Sequence, residues 1–245
     1  MAQRHDRGPA TRPWPGDAAV SEYDIPTSLR PSVAPADDGA RSIPLTNGPI
    51  RMIPAFPQTP TTRAAADLAA EAAPAYLLNH SYRTYLFGRC IVSEPEVDEE
   101  AAFVAAMIHD LGLTDTYAAE SEFGRVGADL ACRFLEGRGW DLERIHLVEE
   151  AILRHTNLVA EQLPVFRLVQ AGATVDVAGL GWEGLASDDL AGILAAYPRL
   201  DFASSMRNSF LDEVHRHPEG AFAHLEQTVA LSDRFGGNPI DTLRA

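Results

Sequence analysis

Beyond about residue 60, hydrophobic positions recur every three or four residues, the period of an amphipathic helix rather than of a strand. Val97, Ala101, Val104, Ile108 and Leu111 give the clearest run, with Pro95 opening the stretch and Gly112 closing it. Residues 62–73 are alanine-rich and helical by propensity. Pro74 fits the first turn of a second helix that runs through Tyr76 to about Arg89. Further helical stretches cover about 125–137, 141–155, 164–178, 188–197, 201–215 and 219–235, punctuated by glycines and prolines. No alternating strand pattern and no internal repeat stand out. The expectation is an all-α bundle of roughly eight helices over residues 61–236, followed by a short tail at 237–245.

The first sixty residues have a different texture. Eleven of the 17 prolines lie there and no period persists, which predicts an extended, partly disordered arm over 1–60. Trp14, Ile43, Leu45, Ile50, Met52, Ile53 and Phe56 are the residues that can pin its later part onto the helical body or onto a second copy of the chain.

Charge narrows the function classes. Acidic residues outnumber basic ones 35 to 20, for a formal charge of −15, and all the basic residues are arginine. Lysine chemistry is therefore excluded, and duplex nucleic acid is not the expected partner, because phosphate binding rests on clustered positive charge. Cys90 and Cys132 form no CxxC and lie in apolar helical surroundings, so buried structural roles and a reducing, cytoplasmic setting are expected. No apolar run reaches membrane-spanning length. The expected partner is a small-molecule substrate, with a homo-oligomer possible.

Four inward-facing stripes carry polar residues. The pair His109-Asp110 ends a strongly apolar helix, and the turn after a helix end lets adjacent side chains reach one point. His80 belongs to the stripe Tyr76, His80, Arg83 and Phe87; His155 continues the face of Ile145, Val148 and Ile152; Asp176 continues that of Val165, Val169 and Gly172. Histidine nitrogen and aspartate oxygen form the mixed donor set that a divalent metal accepts, and buried polar groups need partners.

The order His80 … His109-Asp110 … Asp176 resembles the HD-domain superfamily of metal-dependent hydrolases. Asn79-His80-Ser81-Tyr82-Arg83-Thr84-Tyr85-Leu86-Phe87-Gly88, Ile108-His109-Asp110-Leu111-Gly112-Leu113-Thr114 and Ala151-Ile152-Leu153-Arg154-His155-Thr156 are similar to motifs of its cyanamide hydratase-like group. The likeness spans roughly 54–225. Phe123-Gly124-Arg125-Val126-Gly127-Ala128 keeps that group's Phe and Gly-Ala step but has glycine where the group carries an acid.

The resemblance implies an HD-type helical domain holding one divalent metal through His80, His109, Asp110 and Asp176, with zinc favoured and iron or manganese as alternatives. It implies a hydratase or hydrolase that adds activated water to a small nitrile- or amide-like substrate. Asp110 and His155 are the expected catalytic groups; Asn79, Phe123 and Thr156 are the expected substrate contacts. Arg83 is expected to pair with an acid rather than clamp phosphate. A nucleotide or other phosphate-ester hydrolase, a two-metal site recruiting His146 and His155, and a non-catalytic ligand-binding HD module remain as alternatives.

Overall fold

The structure, a computed structural model, describes residues 54–242. The arm's residues 1–53, with Trp14, Ile43, Leu45, Ile50, Met52 and Ile53, lie outside them. Ten α-helices and several short 3-10 turns make up the described residues, and none of these residues is in a strand.

Helix α1 (Pro60–Ala72) starts at Thr59, whose hydroxyl accepts from the Thr62 amide while Thr62 Oγ1 accepts from the Thr59 amide. This reciprocal cap explains why the helix begins at Pro60, two residues ahead of the expected start at 62. Just before it, Phe56 packs on the rings of Tyr82, Tyr85, Phe103 and Tyr197, so this arm residue does pin the chain to the body.

Helix α2 (Ala75–Ile91) carries His80, and α3 (Glu99–Ile108) is buried along almost its whole circumference, from Ala101 to Ile108. A helix that is apolar all round belongs at the centre of a bundle. It is shorter than the hydrophobic run at both ends. Pro95 lies before it, where Asp98 accepts the Ala101 amide as N-cap at 3.0 Å, and His109 rather than Gly112 ends it.

Helices α4 (Phe123–Glu136), α5 (Leu142–Arg154) and α6 (Pro164–Ala178) complete the inner layer. Gly172 of α6 meets Gly88 and Thr84 of α2 so closely that a Cβ on Gly172 would lie 1.8 Å from the Thr84 carbonyl oxygen. The helices bearing His80 and Asp176 are thus held backbone to backbone.

The remaining helices are α7 (Ser187–Ala196), α8 (Phe202–Arg216), α9 (Ala221–Val229) and α10 (Leu231–Arg234). The single helix expected over 219–235 is two helices, broken at Ala230, where φ is 48°. Of the expected tail, residues 237–242 are described: Ile240 is buried, and Asn238 donates to the Asp176 backbone carbonyl at 2.8 Å. Cys90 and Cys132 are half-buried rather than buried, and form no disulfide. No described helix is long and apolar enough to cross a membrane.

Candidate metal centre

Two helices end on a histidine in the same way. His109, at the end of α3, turns its Nδ1 back onto the Ala106 carbonyl at 2.9 Å; His155, at the end of α5, does so onto Ile152 at 2.5 Å. Each Nδ1–H is thereby committed, and each Nε2 points forward from the helix end. Asp110 leaves the helix, with φ −107° and ψ 5°, so its carboxylate swings to the same side as the His109 ring. His80, in the middle of α2, donates Nδ1–H to Asp176 Oδ2 at 2.6 Å and turns Nε2 toward the other two.

The result is a nearly equilateral triangle of acceptors. His80 Nε2 lies 3.2 Å from His109 Nε2 and 3.3 Å from Asp110 Oδ2, and His109 Nε2 lies 3.3 Å from the same oxygen. Ligands about 2.0–2.1 Å from a small dication in a tetrahedral shell are about 3.3 Å apart. Three converging acceptors repel one another unless positive charge lies between them. Burial pushes the pKa of His109 down to about 3, so this ring stays neutral. Burial also opposes charge on His80, but its hydrogen bonds to Asp110 and Asp176 outweigh that and raise its pKa. Burial would raise Asp110, yet the three neighbouring histidines hold it well below the usual carboxylate range. Positive charge is therefore favoured at this point, as a proton or as a cation in its place. Among the described residues, His80, His109 and Asp110 form a group able to hold a metal ion.

The HD domain profile matches residues 77–235. The chain belongs to the HD domain family. Two proteins of Saccharomyces cerevisiae (strain ATCC 204508 / S288c), cyanamide hydratase DDI2 and cyanamide hydratase DDI3, are each 26% identical to it over 210 residues, or 82% of this chain and 91% of the relative. The protein is a metal-dependent HD-domain enzyme of the hydrolase or hydratase kind.

Within this HD chain, Asp176 stands apart from the triangle, against the expectation that it is a ligand. Its Oδ2 accepts from His80 Nδ1 and, at 2.7 Å, from Arg83 Nη2; its Oδ1 accepts from Arg83 Nε at 2.8 Å and from Arg199 Nη1 at 2.6 Å. Burial would raise its pKa, but Arg83, His80 and Arg199 hold it far below the ordinary value. Asp176 is thus a permanent anion behind His80, fixing which ring nitrogen faces the centre. Arg83 Nη1 donates to the carbonyls of Tyr197 and Pro198, at 3.0 and 3.1 Å, so every guanidinium nitrogen is engaged and no free fork is left for phosphate.

His155 closes the other side: its Nε2 lies 3.6 Å from Asp110 Oδ1, an oxygen with no hydrogen-bond partner. Phe123 meets the His155 ring edge-on at 5.7 Å and is buried. It is held there because the Phe123 amide donates to Glu213 Oε1 at 2.8 Å, and because Gly127, where a Cβ would come within 2.9 Å of the His109 carbonyl, brings α4 onto the end of α3. Asn79 is not turned to the centre; its amide donates to the Pro198 carbonyl at 2.8 Å. Thr156 follows His155 and is half-buried. His146 is exposed beside Glu149, 3.2 Å away, and takes no part.

The residues that sequence reasoning missed are Arg199, Phe202, Glu213 and Asp241. Phe202 stacks on the His80 ring at 4.9 Å. Each acts across a long sequence separation, so no local motif marks it.

Proposed function

We propose that the chain is a zinc-dependent hydratase that adds water to a small nitrile- or amide-like compound. The observation that carries this reading is the orphaned Asp110 Oδ1 facing His155 Nε2 across 3.6 Å, directly beside the triangle of acceptors. The two relatives named cyanamide hydratase support the substrate class.

His80, His109 and Asp110 would hold the ion; such an ion supplies Lewis acidity and lowers the pKa of water toward neutrality. The chain's own groups do the rest. Asp110 Oδ1 accepts a hydrogen bond from the attacking water and orients it. His155 Nε2, an acceptor because Nδ1–H is given to Ile152, takes the proton that the water loses. When carbon–oxygen bond formation leaves the nitrile nitrogen with a pair to protonate, the same Nε2 returns that proton. Phe123 shields the ring from bulk water, and Thr156, the residue after His155, is the proposed contact for substrate polar groups. Asp176 is a support for His80 in this scheme and not a ligand.

A phosphate-ester reading lacks its clamp, since every Arg83 nitrogen is engaged. The test combines elemental analysis of the purified protein with product assays on cyanamide, other nitriles, amides and nucleotides. Asp110→Ala is expected to lose metal and activity together. His155→Ala is expected to keep the metal while turnover falls about 10²–10⁴-fold. Phosphate release from nucleotides without hydration of any nitrile or amide would overturn the substrate class.

A further inference from the structure

Behind His80, a chain of charged groups runs outward to the C-terminal segment. Arg199 donates from one nitrogen to both the side-chain and the backbone oxygen of Asp176, each at 2.6 Å. Its Nε donates to Asp241 Oδ1 at 2.5 Å. We propose that Asp241 and Arg199 are positioning residues of the metal centre, setting its affinity for a divalent cation through Asp176 and His80. The proposal rests on the reading of the His80, His109 and Asp110 triangle as a cation site.

Charge balance gives the first reason. Arg83 and Arg199 are both buried, and both point at the single carboxylate of Asp176. Two guanidiniums against one carboxylate leave one excess positive charge behind a site that must accept a dication. Asp241 cancels it. The Asp241 side chain is 32% exposed, so water screens it in part, but the guanidinium it neutralises is not exposed in that way.

Geometry gives the second. Because Arg199 bonds the Asp176 side chain and backbone together, it locks the carboxylate in the rotamer that receives His80 Nδ1–H. Phe202 lies three residues on, stacked against the His80 ring, with the Arg199 guanidinium 4.6 Å from its ring centre. Between these two residues Leu200 adopts φ 54°, a left-handed conformation that a leucine avoids, and it is 59% exposed, so no burial repays it. The strain is located where the chain must aim one side chain at Asp176 and the other at His80. Asn238 and the buried Ile240 anchor the segment that brings Asp241 to Arg199.

The experiment measures Zn²⁺ and Co²⁺ affinity of the full chain by competition with a chromogenic chelator, alongside thermal unfolding of the metal-free protein. Asp241→Asn is expected to weaken binding about three- to tenfold, a smaller loss than for a group that touches a ligand directly. Its metal-free melting temperature should stay near that of the wild type, and Asp241→Glu should restore most of the affinity. In an Asp176→Asn background the Asp241 substitution should have no further effect on affinity, because the relay is already cut. Arg199→Lys, which keeps the charge and loses the fork, reads the same relay independently and should also weaken binding. Wild-type affinity in Asp241→Asn, or additive losses in the double variant, would overturn the relay while leaving the metal site standing. A wild-type chain that takes up neither ion would overturn the metal reading and the relay with it.

Discussion

Asp110 and Asp176 are chemically the same residue, both buried, and their surroundings divide the work between them. Asp110 offers one oxygen to the acceptor triangle and keeps the other without a partner, which suits an orienting role toward something that arrives. Asp176 has both oxygens saturated by Arg83, Arg199 and His80, which suits a fixture. A carboxylate between two guanidiniums stabilises the fold whether or not a metal is bound. Asp176→Ala is therefore expected to destabilise the metal-free protein by about 3–5 kcal/mol, because it leaves the buried Arg83 guanidinium without a carboxylate and Arg199 with Asp241 alone. Denaturant unfolding in the presence of a chelator checks this, and unchanged stability there would return Asp176 to the ligands.

Helices bring these residues together through their ends. The last turns of α3 and α5 supply His109 and His155, and each ring satisfies a terminal carbonyl with Nδ1, which leaves Nε2 on the side of Asp110. At the other end of α3, Asp98 caps the helix and pairs with Arg144 of α5, at 2.7 and 3.0 Å, tying the two helices together. Burial would raise its pKa, but the Arg144 hydrogen bonds and the Ala101 amide outweigh this and hold it below 3.8. A depressed folded-state value means that the stabilisation is present above 3.8 and is lost as the pH falls through the folded value. Asp98→Asn keeps the cap and removes the charge, so it should cost about 0.5–1 kcal/mol at neutral pH. That gap from wild type should close in acid. Unfolding measured across the acid range reads it directly, and a gap that persists below the ordinary carboxylate value would contradict the assignment.

Across the whole molecule, the centre depends on how closely α2 and α6 approach. Gly172 and Gly88 remove the side chains that would hold these helices apart, and the resulting contact places Asp176 against His80 Nδ1. Gly172→Ala is expected to cost about 3 kcal/mol or more, since the new methyl meets a main-chain carbonyl that cannot rotate away. It should also loosen cation binding, because the His80–Asp176 distance opens with the helices. Stability and metal titrations on the same variant test both consequences, and a variant with native values of both would show that the crossing has slack.

Much of this was legible without coordinates. The three- and four-residue period sets an all-α body because a helix must bury one stripe, and the polar residues interrupting those stripes, His80, His109, Asp110, His155 and Asp176, marked the candidate site. Helix limits were less legible. Asp98 and Asp110 stop α3 by hydrogen bonding and backbone angle, which override the hydrophobic run, and Ala230 breaks the last long helix without any glycine or proline to signal it. What the sequence alone determined, then, is which side chains are committed to the interior and that two of them neighbour each other at a helix end. Whether a given interior carboxylate meets a cation site or a guanidinium was decided only by the tertiary structure. Arg199 and Asp241 reach Asp176 from 23 and 65 residues along the chain, the latter through Arg199, and contacts of that range follow from packing rather than from any local pattern.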